Sequence, residues 1–175
     1  SKVYNSKSED NIVLKKGTPR RLKNLKGTVL SLLTGGGGNN NYWHWLYDVL
    51  PRFALCNNFI GLKEIDYFLL PNHLDNFQRE TLNLLNIPKH KRLSSEKFRH
   101  IKADKLIVTD HPVAVTGNAS EDMQNIPIWI SEWLKESFIN QNMKEDKKIR
   151  KKIFIDREDK IYKNKQQRKI INEEE

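Results

Sequence analysis

In the stretch Asn39-Asn40-Asn41-Tyr42-Trp43-His44-Trp45-Leu46-Tyr47-Asp48-Val49-Leu50-Pro51-Arg52, an imidazole and a carboxylate stand four residues apart. On a helix, His44 and Asp48 share a face. A carboxylate that holds one imidazole nitrogen sets the tautomer and leaves the other nitrogen to accept a proton. That is the arrangement of a general base. A polar pair beside Trp43 and Trp45 is costly to bury without purpose. A plainer reading stays open: the pair is a surface helix contact worth a few tenths of a kcal/mol, and Trp45, Leu46, Val49 and Leu50 are core.

The elements around this stretch look built to present it. An apolar run, Thr28 to Leu33, reads as a buried strand. Four glycines, Gly35 to Gly38, follow it. They match neither a dinucleotide-binding nor a P-loop spacing, so no phosphate loop of those kinds is expected. A helix then runs from Tyr42 to about Phe59, kinked or restarted at Pro51 and closed by Gly61. Backbone N–H groups at such a strand–loop–helix junction can face a ligand.

The rest of the chain alternates strand and helix. Ile65 to Leu70 reads as a strand ended by Pro71. Asp75 caps a helix with Phe77, Leu82 and Leu85 on its apolar face, ended at Ile87-Pro88. Phe98 to Ile101 and Lys105 to Val108 read as two short strands, and His111 to Ser120 as a loop. Pro127 opens a helix with Ile130, Trp133, Leu134 and Phe138 along one side. Residues 1–26 are expected to hold an edge strand or hairpin. Repeated alternation predicts an α/β fold on a parallel sheet.

Composition narrows the function classes. The chain has 175 residues and a net charge of +9. Residues 1–30 hold eight Lys/Arg against two Asp/Glu, and residues 141–175 hold twelve against eight. The middle, 31–140, has eleven against twelve, so the expected globular part is near neutral. With no nucleic-acid motif beside it, flanking charge does not make a nucleic-acid binder. It suits at most a peripheral contact with an anionic membrane surface. No apolar run approaches the ~18 residues of a membrane span. The single Cys56 excludes an internal disulfide and reads as a buried thiol. His73, His90, His100 and His111 are scattered without metal-ligand spacing, so no metal is expected.

Four blocks in order resemble one known family, glycosyltransferase family 61. Asn41, His44-Trp45, Asp48 and Leu50-Pro51-Arg52 are similar to its N-x-x-H-W-x-x-D-x-L-P-R motif. Ile65 to Pro71 with Gln78, Glu80, Leu82, Leu84-Leu85 and Ile87 resembles its next block. Ala103 to Val108 is similar to its A-x-x-L-I-V strand. Ile153 to Arg157, with Arg168, Ile170, Asn172, Glu173 and Glu175, resembles its I-x-I-S-R and R-R-x-I-x-N-E-x-E segment. Asp156 stands where the family often has Ser, and Lys169 replaces the second Arg of the pair.

The resemblance implies a two-domain B-type enzyme with two Rossmann-like domains. Residues 1–140 would form the acceptor-side domain and 141–151 a linker. Residues 152–175 would be the first βα unit of a nucleotide-sugar domain. The family's H-G-A-G-type loop is not in the sequence, so a truncated second domain, cut ends and a chain inactive by itself are expected. Such enzymes transfer a hexose or pentose from a nucleotide-sugar donor with inversion, usually without a metal or cofactor. Bacterial members are associated with surface polysaccharides, eukaryotic ones with protein or xylan modification. A bacterial-type reading places the chain in the cytoplasm, at the inner face of the membrane.

Glycosyl transfer needs a base on the acceptor hydroxyl and positive charge on the departing diphosphate. His44 is a candidate base or acceptor-positioning group, with Asp48 or a backbone carbonyl fixing its tautomer, and Asp48 itself is a helix or loop anchor or a catalytic carboxylate. Asn41 caps the helix or meets substrate, and Trp45 stacks on a sugar or packs in the core. Arg157 and Arg168 suit a diphosphate or form surface ion pairs with Glu158 or Glu173. Asn172 and Glu173 are candidates for contact with the nucleotide sugar. The alternative function is a non-catalytic α/β module that binds a glycan or a protein.

Overall fold

The computed structural model describes residues 9, 16–17, 20–34, 40–113 and 118–140. Four parallel strands form one sheet: β1 Lys23–Ser31, β2 Tyr67–Leu70, β3 Arg92–Ser94 and β4 Ile101–Val108, in the order β3-β2-β1-β4. The expected α/β parallel sheet is therefore present. Parallel strands need crossovers, and helices supply the first two. Between β1 and β2 lie α1 Tyr42–His44, a π-helical turn Trp45–Val49 and α2 Pro51–Asn57. Between β2 and β3 lies α3 Asn76–Leu84. After β4 come α4 Ala119–Gln124, α5 Ile128–Lys135 and a π-helical turn Glu136–Asn140.

The core sits on one face of the sheet. Leu30, Phe68 and Leu70 pack there with Trp45, Val49, Leu50 and Phe53 of the first crossover and Leu82 of α3, and Trp133, Leu134 and Phe138 close over them. The other face holds a smaller cluster of Val29, Leu69 and Leu93, against which Phe98, Ile101 and Ala103 pack. Cys56 is a buried free thiol whose pKa is pushed up by burial.

Several boundaries differ from the expectation. β1 starts five residues ahead of the apolar run; its first residues, Lys23 to Leu25, pair with β4 alone, and only Val29 to Ser31 pair on both sides. Most of residues 1–19, where an edge strand or hairpin was expected, lie outside the described residues. A β-bulge between Leu25 and Thr28 carries Gly27 at φ +98°, a backbone that favours glycine. The Gly27 N–H donates to Asp104 Oδ2 and the Thr28 N–H to Asp66 Oδ2, each at 2.7 Å. Phe98 to Val108 is one strand from Ile101, not two, and β3 is an added strand of three residues. Such a short piece carries too little periodicity to read in advance. Helix α2 ends at Asn57, and Gly61, at φ −54°, opens the next short turn instead of closing the helix.

Other local signals match. Asp75 caps α3 in a capping box with Gln78. That helix ends in a Schellman motif: Asn86 takes φ +56°, its N–H donates to Asn83 O, and the Ile87 N–H donates to Leu82 O. Residues 141–175, including the linker and the βα unit expected there, lie outside the described residues, as do the four glycines at 35–38.

Candidate active site

The strand order reverses between β1 and β4, because the chain steps from β1 outward to β2 and β3 and then returns to the other side of β1. In open α/β sheets, ligand sites form outside the carboxyl ends of the strands at such a switch point. The two segments leaving those ends are the ones that carry the His44 helix and the Thr109-Asp110-His111 turn.

The helix opens as its sequence requires. Asn41 has extended backbone, and its Oδ1 accepts the His44 N–H at 3.2 Å. Asn41 is thus the cap. Beyond His44 the helix widens into a π turn, in which the Leu50 N–H donates to Trp45 O, five residues back. Pro51 gives the physical reason. In a continuous α-helix its ring would clash with the Tyr47 carbonyl and its missing N–H would leave a gap. The wider turn removes the clash and lets Pro51 stand as the first residue of α2. Such single π turns are frequent at functional sites.

This turn sets the geometry of the His44–Asp48 pair. His44 Nδ1 lies 2.7 Å from Asp48 Oδ2, a charge-assisted contact. With Nδ1–H donating to the carboxylate, a neutral His44 carries its lone pair on Nε2. The imidazole is 40% exposed and the carboxylate only 11%, so the ring is open to solvent while its partner is sheltered. Arg52 is buried; its Nε donates to the Asp48 carbonyl at 2.8 Å and one terminal nitrogen to the Thr109 carbonyl at 3.1 Å. It ties the helix to the end of β4. Burial lowers the Arg52 pKa, while Asp48 and Asp110 act in the opposite sense.

A second imidazole joins from β4. His111 Nε2 faces Asp48 Oδ1 at 3.8 Å, and His111 Nδ1 lies 2.9 Å from the Val113 carbonyl. The Val113 N–H also points to Nδ1 at 3.3 Å, so the ring is held by the backbone of its own turn and lies near Asp48 without a direct hydrogen bond to it. The structure thus brings together His44, Asp48, Arg52 and His111. Sequence reading treated His111 as scattered; its position just past a strand that borders the switch point was the available signal. Arg52 stood inside the quoted motif without a role.

Trp45 differs from its expected substrate role. Its side chain is fully buried, its Nε1 donates to Thr81 Oγ1 at 2.9 Å, and it meets Phe77 edge-on. The aromatic beside His44 is the half-buried Trp43. Its ring lies edge-on to His44 and stacks on Tyr47, both at 5.1 Å. Neighbouring helix positions point to different faces, so only one of the two tryptophans can line the site. Among the described residues no cluster of three His, Cys, Asp or Glu side chains is placed to hold a metal. Arg157, Arg168, Asn172 and Glu173 lie outside the described residues.

Two clefts flank the site helix. A polar one of about 550 Å³ lies past the carboxyl ends of β2 and β3 and reaches Asn40. An apolar one of about 430 Å³ runs between Tyr42, Leu46 and Tyr47, α3 and α5. No helix among the described residues is long and apolar enough to cross a membrane.

Residues 42–175 match the family model described as Glycosyltransferase 61. Neither the curated proteins nor the solved structures contain a match to the chain. The family match begins at the helix that carries His44 and Asp48 and covers most of the chain, and the chain belongs to glycosyltransferase family 61.

Proposed function

We propose that this protein moves a sugar, with inversion, from a nucleotide-sugar donor to a hydroxyl of a polysaccharide or other glycan, with His44 as the base. The 2.7 Å contact of His44 Nδ1 with a sheltered Asp48, at the carboxyl edge of a parallel sheet, carries the reading. Nε2 takes the acceptor proton as the acceptor oxygen attacks the anomeric carbon. The bond from that carbon to the diphosphate breaks, and the nucleoside diphosphate leaves with the electron pair. A single displacement inverts the anomeric centre. Asp48 stabilises the imidazolium that forms, and Arg52 and His111 hold Asp48 in place.

The described sheet serves as the acceptor side of a two-domain B-type enzyme. Arg157 and Arg168 bind the diphosphate through paired guanidinium contacts, and Asn172 and Glu173 meet the nucleotide sugar. The chemistry needs no metal or cofactor in this scheme. The near-neutral middle and basic flanks suit work in the cytoplasm at the inner face of a membrane.

The test is a transfer screen on the complete reading frame with UDP-, GDP- and CMP-activated sugars. General-base catalysis contributes about 10²–10⁴-fold, so His44→Ala should lower kcat by at least about 100-fold, and Arg157→Ala should weaken donor use. Full turnover by His44→Ala would refute the assignment of the base. Glycan binding without turnover of any donor would favour the binding module.

A further inference from the structure

The polar cleft past β2 and β3 has no part in the chemistry described above. Its lining comes from three segments: Asn40 before the site helix, Asn72 and Leu74 after β2, and Ser95, Glu96 and Arg99 after β3. Asn40, Asn72, Leu74 and Ser95 follow the carboxyl ends of β1, β2 and β3, the side on which His44 stands, and Arg99 comes two residues before β4. Asn40 lies one residue before the cap of the His44 helix, so the cleft adjoins the turn that carries the base.

The volume, about 550 Å³, falls within the range of about 300–1,000 Å³ of small-ligand sites. The groups that line it are amide, hydroxyl, carboxylate and guanidinium. Asn72 Nδ2 donates to Glu96 Oε1 at 3.2 Å, which links the segments that follow β2 and β3. Leu74 is 66% exposed and offers an apolar surface beside these groups. Planar polar groups around an apolar spot match a sugar ring, which carries hydroxyls at its rim and C–H bonds on its faces.

Charge selects among sugars. The lining holds one guanidinium, Arg99, against two carboxylates, Asp75 and Glu96. The N-terminus of α3 opens here, but Asp75 already caps it. An added anion would meet like charge and an occupied helix end.

We propose that this cleft is the acceptor subsite, and that it holds neutral sugar rings of the glycan through Asn40, Ser95, Glu96 and Arg99, with Leu74 under a ring face. The assignment rests on the transfer reading above and adds where the acceptor lies and which class it belongs to. The reacting ring sits at His44 and the following rings extend toward β3.

Ligand-observed NMR tests this without a donor. The probes are methyl glycosides of glucose, galactose, mannose, xylose and N-acetylglucosamine, with methyl glucuronide and glucose 6-phosphate as anionic counterparts. At least one neutral glycoside should show saturation transfer. The signal should fall at least fivefold in Ser95→Trp, which fills the cleft, and in Arg99→Ala, which removes the guanidinium contact and leaves the cleft open. It should persist in Lys63→Ala, at the amino end of the sheet. Melting temperatures check that the variants fold. Binding of the anionic probes alone, no binding by any probe, or signals equal in the wild type and both cleft variants would overturn the proposal. Donor turnover is measured separately, so its absence would count against the transfer reading and not against the cleft.

Discussion

Replacing Asp48 by Asn keeps the shape of the side chain and removes its charge. In the structure Asp48 Oδ2 lies 2.7 Å from His44 Nδ1, and Oδ1 faces His111 at 3.8 Å. An amide can still accept from Nδ1–H, so the ring keeps a partner. It cannot offset the charge that His44 gains when, in the proposed scheme, it takes the acceptor proton. A hydrogen bond to a charged group contributes about 1.5–3 kcal/mol. At about 1.4 kcal/mol per decade this corresponds to a 10- to 150-fold fall in kcat. If the amide instead turns its NH₂ toward the ring, His44 takes the other tautomer, and the loss grows toward the 10⁴-fold seen when an orienting carboxylate becomes an amide. The assay is steady-state transfer with the best nucleotide-sugar donor, together with thermal melting. Donor KM should stay near the wild-type value, because Asp48 acts through His44 and touches no donor group in the proposed scheme. A folded Asp48→Asn protein with kcat within threefold of wild type would refute the base–carboxylate pairing.

Three other changes probe the scaffold. Gly27→Ala should lower stability by about 2–4 kcal/mol in denaturant melts, the sum of a left-handed non-glycine residue and a disturbed charged hydrogen bond, because an added Cβ would come within 2.7 Å of Asp66 Cγ; a loss under 0.5 kcal/mol would contradict the bulge. Arg52→Ala leaves the Asp48 and Thr109 carbonyls without this donor and should cost about 2–4 kcal/mol, with a fall in kcat as the helix loses its tie to β4; stability unchanged in melts would count against that tie. Burial lowers the His73 pKa, against the pull of its bond to the Pro71 carbonyl. The folded value is below the unfolded one, so its contribution is present above about pH 6.5 and is lost as pH falls through the folded value. His73→Gln should therefore flatten the melting temperature between pH 7 and 5, and an identical slope in the variant would refute this.

Much of the site was legible because it is local. The His44–Asp48 spacing, the Asn41 cap and the break at Pro51 depend on residues within two helical turns, where backbone geometry alone decides which side chains meet. The capping box at Asp75 was legible for the same reason. The π turn was not, since its widening settles a conflict between Pro51 and the preceding turn that periodicity does not report.

The sequence by itself determined a parallel α/β chain, a His–Asp pair on one helical face and kinship with glycosyltransferase family 61. Only the tertiary structure decided which neighbours that pair has. The strand order β3-β2-β1-β4 sets the end of β4 beside the end of β1, and this brings His111 and Thr109 to a helix more than fifty residues earlier in the chain. The same packing sends Trp45 into the core against Thr81 and leaves Trp43 beside His44. Residue types and spacing act over a few residues, whereas burial and pairing across the sheet depend on the whole fold.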